Sequence, residues 1–159
     1  GRKTYAMAAG YLLVWVLFSV AATVLQRVLS AALVLTPMLE PATPRTAAVL
    51  LAAAGLYQLT PLKRSCLTVC RSPLSYLMQH WGPGTYAAFR LGARHGTYCL
   101  GCCWALMLLL FAGGVMNLVV IAGLTLWVLI EKVAPFGERT VKISGVALLT
   151  LAAWLFAVY

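Results

Sequence analysis

Residues 97–130 form a run of 34 residues without one charged side chain. A single straight helix of that length would extend about 51 Å at 1.5 Å per residue. The hydrocarbon core of a bilayer is only about 30 Å thick. Folding the run at Gly113-Gly114 gives two helices of about 24 Å each, slightly short of a full crossing. Either way the run belongs in lipid. The whole chain agrees, being 63% hydrophobic and 9% charged, where a soluble domain carries about 25% charged residues. The expected fold is all-α: one polytopic transmembrane helical bundle over residues 1–159, with no room for a second domain.

Basic residues decide between the two foldings. With a hairpin at Gly113-Gly114, ten of the twelve Lys and Arg residues fall on one side of the membrane. Only Arg45 falls on the other side, and Arg27 lies within a span. With one long span, Lys132, Arg139 and Lys142 change sides and the bias largely disappears. Short loops rich in Lys and Arg stay in the cytoplasm, so the hairpin is preferred. Five spans follow, at about 5–35, 46–62, 97–112, 115–130 and 143–159, with a cytoplasmic N-terminus and a cytoplasmic loop over 63–94.

Pro37, Pro41 and Pro44 break the chain after the first span. Ser19-Val20-Ala21 faintly resembles a cleavage site, but the apolar run continues past it, so an uncleaved helix is expected. Within the loop, Pro73 to Trp81 is expected to form a short interfacial helix, with Tyr76 and Trp81 at headgroup level and Gly82-Pro83-Gly84 ending it. The net charge of +9 is accounted for by membrane lipid headgroups. Nucleic acid is not expected as a partner.

All five cysteines lie between positions 66 and 103. Cys66 and Cys70 are one helical turn apart and share a face. His95, Cys99, Cys102 and Cys103 fall at about 0°, 40°, −20° and 80° around a helix, again one face. At a reducing cytoplasmic surface such thiols do not form structural disulfides. Thiolates with one imidazole are a soft ligand set, suited to Cu(I), Zn(II) or an iron–sulfur cluster. His95, Cys99, Cys66 and Cys70 would make a Cys3His zinc tetrahedron. Cys102 and Cys103, with Met107 one turn deeper, suit Cu(I). The competing reading is that buried cysteines act as small packing residues.

Other polar residues interrupt the apolar runs. Gln26 and Arg27 lie within the first span, Arg27 being expected to snorkel or pair with Glu40, and Gln58 and Asn117 are expected to hydrogen-bond between helices. Glu131-Lys132 reads as an interfacial ion pair, His80 as a headgroup contact, and Met107 and Met116 as packing. No acidic pair lies within the membrane, which argues against a proton-coupled transporter. No catalytic triad, phosphate-binding loop or dinucleotide fingerprint occurs.

Several stretches are similar to one known family: Gly55-Leu56-Tyr57-Gln58-Leu59-Thr60-Pro61-Leu62-Lys63, Cys66, Cys70-Arg71-Ser72-Pro73, and the run from His95-Gly96-Thr97-Tyr98-Cys99 through Leu100-Gly101-Cys102-Cys103-Trp104-Ala105-Leu106-Met107. Gly114-Val115-Met116-Asn117-Leu118 and Glu131-Lys132 extend the likeness over nearly the whole chain. It resembles the bacterial "predicted metal-binding integral membrane protein" family, DUF2182. The resemblance implies a bacterial inner-membrane protein with one further N-terminal span. With Gly rather than Met at position 1, a processed chain or a fragment is expected.

The leading expectation is a non-enzymatic membrane protein that binds copper or zinc at its cytoplasmic face. His95 and Cys99 would be core ligands, completed by Cys66, Cys70, Cys102 and Cys103, serving metal handling or a membrane complex. The alternative is a metal-free structural or assembly subunit whose short spans lean on other membrane proteins. A thiol- or metal-dependent membrane enzyme is the third.

Overall fold

The computed structural model describes residues 1–32, 35–36, 41–113 and 117–159. Pro37, Glu40, Gly114 and Met116 lie outside the described residues. Seven helices follow one another among those residues: α1 (Arg2–Ala31), α2 (Pro44–Leu59), α3 (Pro61–Arg71), α4 (Pro73–His80), α5 (Thr85–Gly113), α6 (Leu118–Val133) and α7 (Gly137–Val158). No strand forms among them, only an isolated bridge between Leu35 and Pro41.

Proline and threonine set the starts of two helices. Thr43 and Thr60 cap α2 and α3 by accepting from the amides of Thr46 and Lys63, and a proline follows each cap at the first helical position, where its missing N–H costs nothing. Asn117 plays the same role for α6, accepting from Val119 and Val120. It is therefore a helix cap, and not the interhelical partner its apolar surroundings suggested.

The stretch expected as a loop over 63–94 is largely helical, comprising most of α3, all of α4 and the first turns of α5. Arg90 and Arg94 thus ride on the same helix as the later cysteines. Pro73–His80 is helical, close to the expected Pro73–Trp81 segment.

α5 is central, packing against α1, α2, α3, α4 and α6. α1 runs parallel to it: Gly92 faces Met7, and Gly96 faces Tyr11 and Val14. A methyl group on Gly92 would overlap the Met7 carbonyl, and one on Gly10 the Phe89 carbonyl. These glycines let two backbones touch, as small residues do between membrane helices. α6 returns antiparallel to α5, with Val120 against Gly113 and Lys132 against Cys99. α7 is antiparallel to α2, with Gly145 against Leu59 and Tyr159 beside Arg45.

α1, α5 and α7 are long and apolar enough to cross a membrane. α2 and α6 have 16 residues each, about 24 Å of helix. Leu12, Leu13, Val16, Leu17, Val20 and Val24 of α1 are all exposed, an apolar face too large for water and natural in lipid.

Candidate metal centre

The site is built from α3 and α5. On α3, Lys63, Cys66 and Leu67 are buried and Cys70 is half-buried, the i, i+3, i+4, i+7 stripe of an amphipathic helix. On α5, Cys99, Cys102 and Cys103 are buried. The two stripes meet: the Cys70 and Cys102 sulfurs are 3.6 Å apart. Cys66, Cys102 and Cys103 share one buried cluster with Leu67 and Val141, with Met107 and Trp15 packed on it. Gly101 leaves room for the Cys66 sulfur. All five cysteines are free thiols.

Cys102 and Cys103 both donate to the Cys99 carbonyl, at 3.0 and 3.1 Å, which fixes their rotamers along the helix. The Cys99 sulfur has two further neighbours, the Tyr11 hydroxyl at 3.4 Å and the Lys132 ammonium at 3.1 Å. On α3, hydrogen-bonding with the Cys102 and Cys99 sulfurs, and then burial, raise the Cys70 thiol above its ordinary range. Burial, and then the charge of Cys102, raise Cys66.

His95 is placed differently. Its ring stacks on Tyr11 at 6.1 Å and lies 6.0 Å from the Tyr76 ring. Its Nδ1 is buried and without a hydrogen-bond partner. The helical angles do put it on the thiol face, but α1 and α4 insert tyrosines there. Among the described residues, no three His, Cys, Asp or Glu side chains are already arranged to hold a metal ion. The geometry therefore joins Cys70 to Cys102, gathers Cys66, Cys99 and Cys103 around them, and leaves His95 one turn away.

A polar network borders the thiols. Lys63 donates to Glu131 Oε2 at 2.7 Å, both side chains being 2% exposed or less. Gln58 donates to Glu131 Oε1 and to Ser144 Oγ, each at 2.8 Å, and Trp127 donates to Glu131 Oε1 at 3.2 Å. The expected Glu131-Lys132 pair is thus corrected. Neighbours in a helix point about 100° apart, so Glu131 turns to α2 and α3 while Lys132 turns to Cys99. Arg71 donates to the Ala134 carbonyl and ties α3 to the α6–α7 turn. Gln58 does bond between helices, as its position in a span implied. His80 is held by its own helix, with Nδ1 3.0 Å from the Tyr76 carbonyl.

Sequence reasoning missed Lys63, Tyr11 and Lys132 as neighbours of the cluster. Lys63 was visible only as one of many basic residues. Its i, i+3, i+7 spacing with Cys66 and Cys70 was the signal that could have found it.

The family described as "PpoB2: Copper chaperone" matches residues 1–155, and the chain belongs to it. That description names copper and lends no support to zinc, and it carries a different label from DUF2182. No curated protein and no solved structure matches the chain.

Proposed function

We propose that this copper-chaperone family member is an integral membrane protein that carries Cu(I) as cargo on cysteine thiolates, without catalysing a reaction. Soft thiolate ligands select Cu(I), and the chain gathers five of them. Cys70, Cys99 and Cys102 form the inner set, with Cys66 and Cys103 beside it. The observation that carries the reading is the 3.6 Å approach of Cys70 on α3 to Cys102 on α5. Two elements far apart in sequence are folded to bring sulfur to sulfur, at a spacing that a small rotation of either side chain opens to an ion.

The proposed topology has five spans, α1, α2, α5, α6 and α7, in alternating directions. Arg2, Lys3, Lys63, Arg94 and Lys132 share one end, which the positive-inside bias makes cytoplasmic. The thiols then face the reducing side, where they stay available, in a bacterial inner membrane whose lipid covers the outer face of α1.

Competition titration of the reduced protein with a Cu(I) chelator tests this. Cys70→Ser and Cys102→Ser should each weaken Cu(I) binding by about tenfold or more, equivalent to about 1.4 kcal/mol. Equal affinity in the wild type and both variants would refute it.

A further inference from the structure

Resting on that reading, we infer that His95 is a transit ligand, a station that hands Cu(I) to Cys99 rather than holding it at equilibrium. Three observations converge on it. Its Nδ1 is buried with no partner, and a buried polar atom left without one calls for an explanation, of which an unfilled ligand role is one. Its ring is walled by tyrosines, stacked on Tyr11 and set against Tyr76, and so stands apart from the packed sulfurs. Cys99 is four residues on, where side chains on one helix face have Cβ atoms about 5–6 Å apart. Tyr11 joins the two, its ring on His95 and its hydroxyl on the Cys99 sulfur.

Beyond Tyr76 lies a second imidazole, and beside it a cavity that His95 itself does not line. His80 stacks on the same Tyr76 ring at 4.5 Å. With Tyr86, Arg90 and Arg94 it lines a cavity of about 220 Å³. No carboxylate lines that cavity, so its cations suit an anionic Cu(I) complex as donor, one in which thiolates or carboxylates surround the ion.

In the transfer, copper stays Cu(I). The bond from His95 nitrogen to copper breaks as the bond from Cys99 sulfur to copper forms, and a thiol proton on Cys99 passes to the vacated imidazole nitrogen. Imidazole is a competent copper ligand, and a single one binds weakly enough to let go.

A transit ligand changes rates without changing equilibrium, because loading and removal use the same path. The test is stopped-flow loading of the full chain in detergent from the anionic Cu(I)–bicinchoninate complex, with removal by excess bicinchoninate. His95→Phe keeps the ring stacking and removes the nitrogen, and His95→Gln guards against a folding defect peculiar to Phe. Both variants should slow loading and removal together by about tenfold, equivalent to about 1.4 kcal/mol of barrier, with affinity and copper capacity unchanged. Unchanged rates would overturn the inference. Weaker affinity through faster removal alone would also overturn it, by making His95 a resident ligand. If the wild type takes up no copper, the thiol reading itself fails, an outcome distinct from any difference between wild type and variant.

Discussion

The Lys132 ammonium donates to the Cys99 sulfur across 3.1 Å, so one unit of positive charge sits directly against the thiol cluster. Its sequence neighbour, Glu131, is already neutralised by Lys63, which leaves Lys132 free to serve the sulfurs. A copper–thiolate complex is anionic, and a hydrogen bond to a charged group contributes about 1.5–3 kcal/mol. Lys132→Met should therefore weaken Cu(I) binding by about tenfold to a hundredfold. Lys132→Arg should fall between the two. Chelator competition measures all three proteins.

The Lys63–Glu131 pair yields a second prediction, on stability. Breaking a buried pair leaves an uncompensated charge and costs about 3–5 kcal/mol. Glu131→Leu strands Lys63, and Lys63→Met strands Glu131. The double variant removes both charges and should recover most of the loss. Thermal unfolding of the four proteins in one detergent closes the cycle. Strictly additive losses would contradict the account.

How far the sequence reached differs between fold and site. The apolar runs and the break at Gly113 were legible because lipid imposes length and charge rules on a chain. The cysteine stripes were legible from helical spacing alone, since i, i+3 and i+4 share a face. The meeting of those stripes was not, because nothing local in Cys66–Cys70 says that α3 packs on α5. The same holds for Lys63 and Glu131, which are far apart in sequence. His95 shows the limit of angular reasoning: helical spacing sets its face on α5, while the tyrosines of α1 and α4 that face it come from elsewhere in the chain.

The α1–α5 contact supplies a third prediction. Gly92 presses on the Met7 carbonyl, leaving no space for a side chain. Gly92→Leu should force the helices apart and destabilise by about 1–3 kcal/mol. Because Tyr11 of α1 touches Cys99, the same variant should also make Cys99 more reactive. Thermal unfolding and the rate of thiol alkylation read the two effects separately.

A fourth prediction concerns pH. Neighbouring sulfurs and burial raise the Cys70 thiol, and burial raises Cys66, so both are protonated at neutral pH. Copper binds the deprotonated form, and uptake therefore releases protons. The sign is fixed: apparent Cu(I) affinity rises as pH rises, and falls on acidification. Competition titrations at about pH 6.5 and about pH 8 should differ in that direction, and Cys70→Ser should flatten the difference.

Copper content per chain is the most direct measurement of the central claim, taken by elemental analysis of protein purified under reducing, copper-replete conditions. Wild type should retain about one copper ion per chain, and Cys70→Ser/Cys102→Ser should lose it while remaining folded and monodisperse. A wild type without copper, or a double variant that keeps its full complement, would contradict the account.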